Sequence, residues 1–137
     1  MTEQFKKDSA RGAIGQKYVA DLMRSWGATV SEVPDKYFPD FDLIANGKTI
    51  EVKHDWKAEE TGNICLELEA LWHSKAQFLA VVTGNPIKHF YLVPLQEALR
   101  LAESWPKTNV GEYNGPAALV PVRAFVEHLN AQVLTTN

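Results

Sequence analysis

A single cysteine, Cys65, stands among the 137 residues, so the chain can form neither an internal disulfide nor a cysteine-built metal centre. Four histidines, His54, His73, His89 and His128, lack the spacing of metal ligands, which leaves carboxylates as the source of any hard-metal site. No apolar run reaches the roughly 18 residues that a membrane span requires. The opening "MTEQFKKDSA" is polar and has no signal-peptide core, so a cytoplasmic protein is expected. Repeats, low-complexity tracts and interdomain linkers are missing too, and the expectation is one domain with one core over residues 1–137. A basic excess is also lacking. The net charge of −3 counts against a non-specific nucleic-acid binder. That deficit is local, however. Residues 1–57 hold nine Lys and Arg against nine Asp and Glu, and residues 58–137 hold five against eight. Acidic groups around a bound cation would be neutralised in the working state.

What is present is periodic. Asp8 and Ser9 are N-cap candidates for a first helix. Ala10, Ile14, Tyr18, Leu22 and Trp26 recur at every fourth position as its expected buried stripe, and Gly27 stands where a helix ends. "ATVSEV" (28–33) reads as a strand, followed by a hairpin of strands 41–45 and 48–54. "WKAEETG" (56–62) reads as a polar loop and "NICLELEA" (63–70) as an alternating strand. "FLAVVTG" (78–84) and "HFYLV" (89–93) read as buried strands. Pro94 opens a helix over 94–105, and 109–116 is loop. "AALVPV" (117–122) reads as an edge strand, because Pro121 cannot donate to a ladder. "RAFVEHLNAQ" closes the chain as a short helix. This order predicts a mixed α/β domain with a central sheet.

The hairpin carries the chemistry. Asn46–Gly47 is a strong type I′ turn signal, since both central positions need positive φ. With the turn there, Ala45 faces Lys48, Leu43 faces Ile50, Asp42 faces Glu51 and Asp40 faces Lys53. Phe41, Leu43, Ala45, Ile50 and Val52 share the apolar face, and Asp40, Asp42, Glu51, Lys53 and Asp55 share the other. Two carboxylates directly across a ladder repel one another. A cation between them removes the penalty, and two carboxylates completed by waters and substrate phosphates are a normal Mg²⁺ site. Lys53 beside them offers a positive group for a developing negative charge. The bland alternative is a solvated face balanced by Lys48 and Lys53. An acid-x-Lys triplet alone is weak, because Asp55-Trp56-Lys57 is a second one.

"PDFD" (39–42) followed by "EVK" (51–53) resembles the core of the PD-(D/E)xK nuclease superfamily, which includes restriction endonucleases and Holliday-junction resolvases. "GAIGQKYVADLM" (12–23), "TGNICLE" (61–67) and "HSKAQFLAVV" (73–82) are similar to segments of a phage-type branch of that superfamily. The resemblance covers roughly residues 10–126, and the order of several weak motifs is more specific than any one of them. It implies a restriction-endonuclease-like fold, a mixed central β-sheet flanked by helices. It also implies a Mg²⁺-dependent DNA endonuclease, with Mn²⁺ able to substitute and branched or junction DNA among its substrates. Asp42 and Glu51 would bind the metal with the Val52 carbonyl as a further ligand, and Lys53 would assist the attacking water. Asp40 is the competing aspartate; the turn register favours Asp42. Gln16, where a glutamate is common, is expected near the acidic pair, and Glu67 at the rim of the site. DNA is the implied partner, with a homodimer left open.

Three departures from the pattern are Gln16, and Ser74 and Gln77 in place of Thr and Asp. They motivate a rival reading, a catalytically inactive nuclease-fold module for DNA binding or assembly. A second rival is a small interaction protein whose charged hairpin face meets a basic partner. Trp56 offers either a stacking surface for a base or packing under its loop, and Cys65 reads as structural.

Overall fold

In the computed structural model, residues 3–32, 40–108, 115–129 and 132–135 are described. Helix α1 spans Glu3–Ser25, so Asp8 and Ser9 lie within it and not at its start. Among its described side chains and backbone positions, Gly15, Val19, Ala20 and Met23 are buried, while Ile14 and Trp26 are about half exposed. Of the expected stripe, Tyr18 and Leu22 do pack against the core, whereas Ile14 and Trp26 stay largely outside it. A strict four-residue repeat advances by roughly 40° per step around a helix of 3.6 residues per turn, so a five-member series drifts off any contact line. The spacing that stays on the line is 15, 19, 20 and 23. Ala10 lies outside the described side chains. The helix closes in a Schellman arrangement: the Gly27 amide donates to the Arg24 carbonyl at 2.9 Å, and the Ala28 amide to that of Met23 at 3.1 Å.

Strands β1 (Val30–Glu32), β2 (Leu43–Ala45) and β3 (Lys48–Asp55) follow. The β2–β3 turn has φ of 49° at Asn46 and 79° at Gly47, as the type I′ reading requires. Its register pairs Leu43 with Ile50, Ile44 with Thr49 and Ala45 with Lys48, as expected. Next come α2 (Ala58–Thr61), β4 (Asn63–Glu67), α3 (Leu68–His73), β5 (Phe78–Thr83), β6 (His89–Pro94) and α4 (Leu95–Ser104). The chain continues through β7 (Lys107–Thr108), β8 (Ala117–Pro121), α5 (Val122–Leu129) and β9 (Gln132–Thr135).

Six strands form one sheet in the order β1-β2-β3-β5-β6-β9. The β3–β5 pair is parallel and the others antiparallel, which makes the sheet mixed. A second sheet, β4-β8-β7, was not anticipated. In it β8 is central, not an edge. Pro121 is tolerated because β7 reaches only Ala117 and Ala118, which leaves Asn63 as its sole ladder partner. Two further expectations fail locally. The polar loop contains α2, and the strand over 63–70 stops at Glu67. Leu68 and Leu71, three apart and both buried, suit a helical turn better than an extended alternation. Most of the 109–116 loop lies outside the described residues. Among those described, no helix is long and apolar enough to cross a membrane.

The large sheet is covered on both faces. On one, Val19, Ala20 and Met23 of α1 pack with Leu43, Ile50, Ala80, Val82 and Phe90. On the other, Leu79, Val81 and Val93 pack with Leu95 and Ala98 of α4, Ile64 and Leu66 of β4, and Phe125 of α5. Alternation along β3 thus sends Ile50, Val52 and His54 toward α1, and Glu51, Lys53 and Asp55 to the opposite side. The tightest approach of α1 is at Gly15, where an added Cβ would lie 2.8 Å from the His54 Cβ. Gly15→Ala is expected to lower stability by about 1–3 kcal/mol, against the direction of helix propensity. A urea midpoint equal to or above wild type would show that the contact yields.

Candidate active site

The site begins where β2 leaves β3. The ladder ends at Leu43–Ile50, and the Asp42 amide still reaches the Ile50 carbonyl at 2.9 Å. One residue on, a side chain takes over: Asp42 Oδ2 accepts the Val52 amide at 2.8 Å. Because a strand residue directs its N–H and C=O to the same edge, the Val52 carbonyl lies on the edge where Asp42 sits.

Glu51 is half-buried beside this corner, and its Oε1 is 3.2 Å from the Ser74 hydroxyl. That hydroxyl is also 3.2 Å from the Asp40 carbonyl and accepts the Ala76 amide, so its single proton is shared between two acceptors. Ser74 thereby ties the loop before β5 to both the acidic strand and the segment before β2. Burial first, and the neighbouring Asp42 charge second, push the Glu51 carboxyl up to about 8, with the Ser74 bond a partial offset. Burial also raises Asp42, against the pull of the Val52 amide. Neither carboxylate has an ion-pair partner among the described residues.

Lys53 lies two residues further along the same side of β3. Its Nζ meets Glu67 Oε1 at 3.2 Å. Burial works to lower its pKa, but Glu67, Cys65 and Asp55 together more than compensate, so the ammonium is held protonated. Asp40 does not face Lys53. Its carboxylate reaches Lys75 at 3.8 Å, because the chain before Asp42 has already turned away toward the β5 loop. Gln77 is a fastener of the hairpin, with Oε1 accepting the Thr49 amide at 3.1 Å. Gln16 belongs to α1, which packs on the sheet face opposite Glu51, and it does not line the cleft described next, which Gly12, one turn earlier, reaches.

A cleft of about 610 Å³ runs beside β3. Glu51, Lys53 and Asp55 line its floor, with Cys65 and Glu67 of β4 along one wall. Asp42 is not among the lining residues, and it acts on the cleft through the Val52 amide and its charge on Glu51. Asp55 has a part that was not foreseen. Its Oδ1 accepts the amides of Lys57 and Ala58, and its Oδ2 accepts that of Cys65, which starts α2 and pins β4 to β3. The legible signal was an Asp three residues ahead of a helix-forming Ala-Glu-Glu. His54 is committed at both nitrogens: Nε2–H donates to the Gly84 carbonyl at 2.8 Å, and Nδ1 accepts the Trp56 indole N–H at 3.0 Å.

Among the described residues, no three His, Cys, Asp or Glu side chains gather closely enough to hold a metal ion by themselves. Asp42 and Glu51 nonetheless form a pair of hard oxygen donors without a counter-cation, and the Val52 carbonyl stands on the same edge. Such a set suits Mg²⁺, which keeps several positions for water and substrate phosphate.

No protein-family model and no curated protein sequence matches this chain. Among solved structures, the fold is similar to that of a bacterial homing endonuclease, I-Ssp6803I. The TM-score is 0.55 at 16% identity, over 81% of this chain and 76% of that one. The likeness is one of fold: an α/β architecture with a mixed sheet flanked by helices.

Proposed function

We propose that this protein is a Mg²⁺-dependent DNA endonuclease with a site of the PD-(D/E)xK kind. One observation carries the reading: two carboxylates without a counter-cation, Asp42 and Glu51, meet where β2 parts from β3, with the Lys53 ammonium two residues along the same strand. The shared fold with a homing endonuclease supports DNA as the substrate.

In this reading Asp42, Glu51 and the Val52 carbonyl hold the metal. When bound, Mg²⁺ offsets phosphate charge and makes a water more acidic. The chain's own groups do the rest. The Val52 amide and Ser74 hydroxyl keep the two carboxylates aimed. Lys53 stabilises the negative charge that grows on the phosphoryl oxygens, and Glu67 holds its ammonium in place. The hydrogen bonds of His54 leave it no free nitrogen for proton transfer, so no histidine step is invoked. The finer form of the proposal is cleavage of branched or junction DNA, as the motif resemblance implies.

A second reading, a DNA-binding module without cleavage, is favoured by the lack of a three-ligand cluster among the described residues. Incubation with linear, flapped, single-stranded and four-way-junction DNA in Mg²⁺ or Mn²⁺ decides between them. Cutting that stops in EDTA is expected. Binding with no cutting in either metal selects the module.

A further inference from the structure

The cleft contains more than phosphate hydrolysis requires. Its volume of about 610 Å³ matches pockets that enclose a small molecule, and a double helix cannot enter it. Trp56, Leu71 and Leu119 bring apolar surface to the space that Glu51 and Lys53 line. Leu119 is 36% exposed on β8, directly across the ladder from Cys65, so its side chain opens toward the cleft and not the core. The Trp56 ring is held in place by its indole bond to His54, with ring centroids 5.4 Å apart and planes tilted by 45°.

Charge in the cleft is largely engaged internally. Asp55 is satisfied by three backbone amides and Glu67 by Lys53. Lys57, next to Trp56, is exposed at the rim. A fixed aromatic plane, aliphatic surface and a nearby cation are what a nucleobase with its phosphate needs for stacking and neutralisation. A base already unpaired enters such a space without the cost of leaving a duplex.

We infer that the cleft receives an unpaired nucleobase adjoining the phosphate to be cut, so that the protein prefers DNA with an unpaired nucleotide over continuous duplex. The adjacency rests on the nuclease reading; the preference is measurable without it.

The test is fluorescence anisotropy in EDTA with three labelled DNAs: a paired duplex, the same duplex with one unpaired thymine, and its single strand. Wild type is expected to bind the two unpaired forms on the order of tenfold more tightly than the duplex, the range of one base–aromatic stack. Trp56→Ala and Leu119→Glu should bring that ratio close to one, and Trp56→Phe should keep most of it. Circular dichroism checks folding, and if Trp56→Ala is unfolded, the surface change Leu119→Glu decides. Equal wild-type affinity for all three DNAs, or a ratio that neither substitution alters, overturns the inference. If paired duplex is nonetheless cut in Mg²⁺, the nuclease reading survives that failure. Absence of binding to every DNA removes both.

Discussion

Lys53→Ala is expected to cut turnover by roughly 10²–10³-fold, the scale of one lost transition-state contact, with little change in Mg²⁺ affinity. The ammonium stands beside the carboxylate pair without being a ligand, and it is held by Glu67. Its loss therefore removes stabilisation of charge that is present only during reaction, so kcat falls while KM moves little. The same truncation frees Glu67 inside the cleft, a second source of negative charge near the phosphate. Lys53→Ala combined with Glu67→Gln separates these effects. If the double variant recovers part of the rate, the freed carboxylate was contributing repulsion. Single-turnover cleavage at saturating protein is the measurement, and undiminished cleavage by Lys53→Ala would place the reacting groups elsewhere.

The corner that holds Asp42 against Glu51 was legible because it is local. Asn46–Gly47 dictates a turn, the turn dictates register, and register sets which side chains stand across from each other. That logic puts Glu51 and Lys53 on one side of β3 and Asp42 next to Glu51, although Asp42 does not itself line the cleft. The remainder depends on contacts far apart in the chain. Nothing near Lys53 reveals that Glu67, fourteen residues on, holds its ammonium. The partner of Asp40 follows from how the segment before β2 meets the β5 loop, not from a continued hairpin. The small sheet and β9 arise from pairings across long separations, where short strands such as Lys107–Thr108 carry almost no pattern of their own. The buried face of α1 went wrong for a different reason. Ile14 and Trp26 are large and apolar, yet the sheet receives the line through Gly15, where the absence of a side chain lets the helix come close to His54. Hydrophobicity found Tyr18 and Leu22 at the edge of the contact, and the close approach at Gly15 sets its centre.

Glu51→Gln should separate stability from activity. Burial first, and then Asp42, push the Glu51 carboxyl up to about 8, against 4.5 for an ordinary glutamate. Between those values the folded state holds a proton that the unfolded state has released. Stability therefore declines as pH rises from about 4.5 to about 8, and the full penalty, on the order of a few kcal/mol, is present above 8. Glutamine has no proton to lose. The variant is expected to match wild type near pH 5 and to exceed it in thermal midpoint near pH 8.5. Activity should go the other way. Removing one of two carboxylates weakens Mg²⁺ binding, and several kcal/mol of charge stabilisation corresponds to a rate loss on the order of 10²–10³-fold. Added Mg²⁺ should raise the midpoint of wild type at pH 8.5 far more than that of the variant, because only wild type has a carboxylate pair for the cation to relieve. Parallel pH profiles for the two proteins would mean that neither burial nor the Asp42 charge raises Glu51 in solution. Equal stabilisation of both by Mg²⁺ would mean that the ion binds somewhere other than this corner.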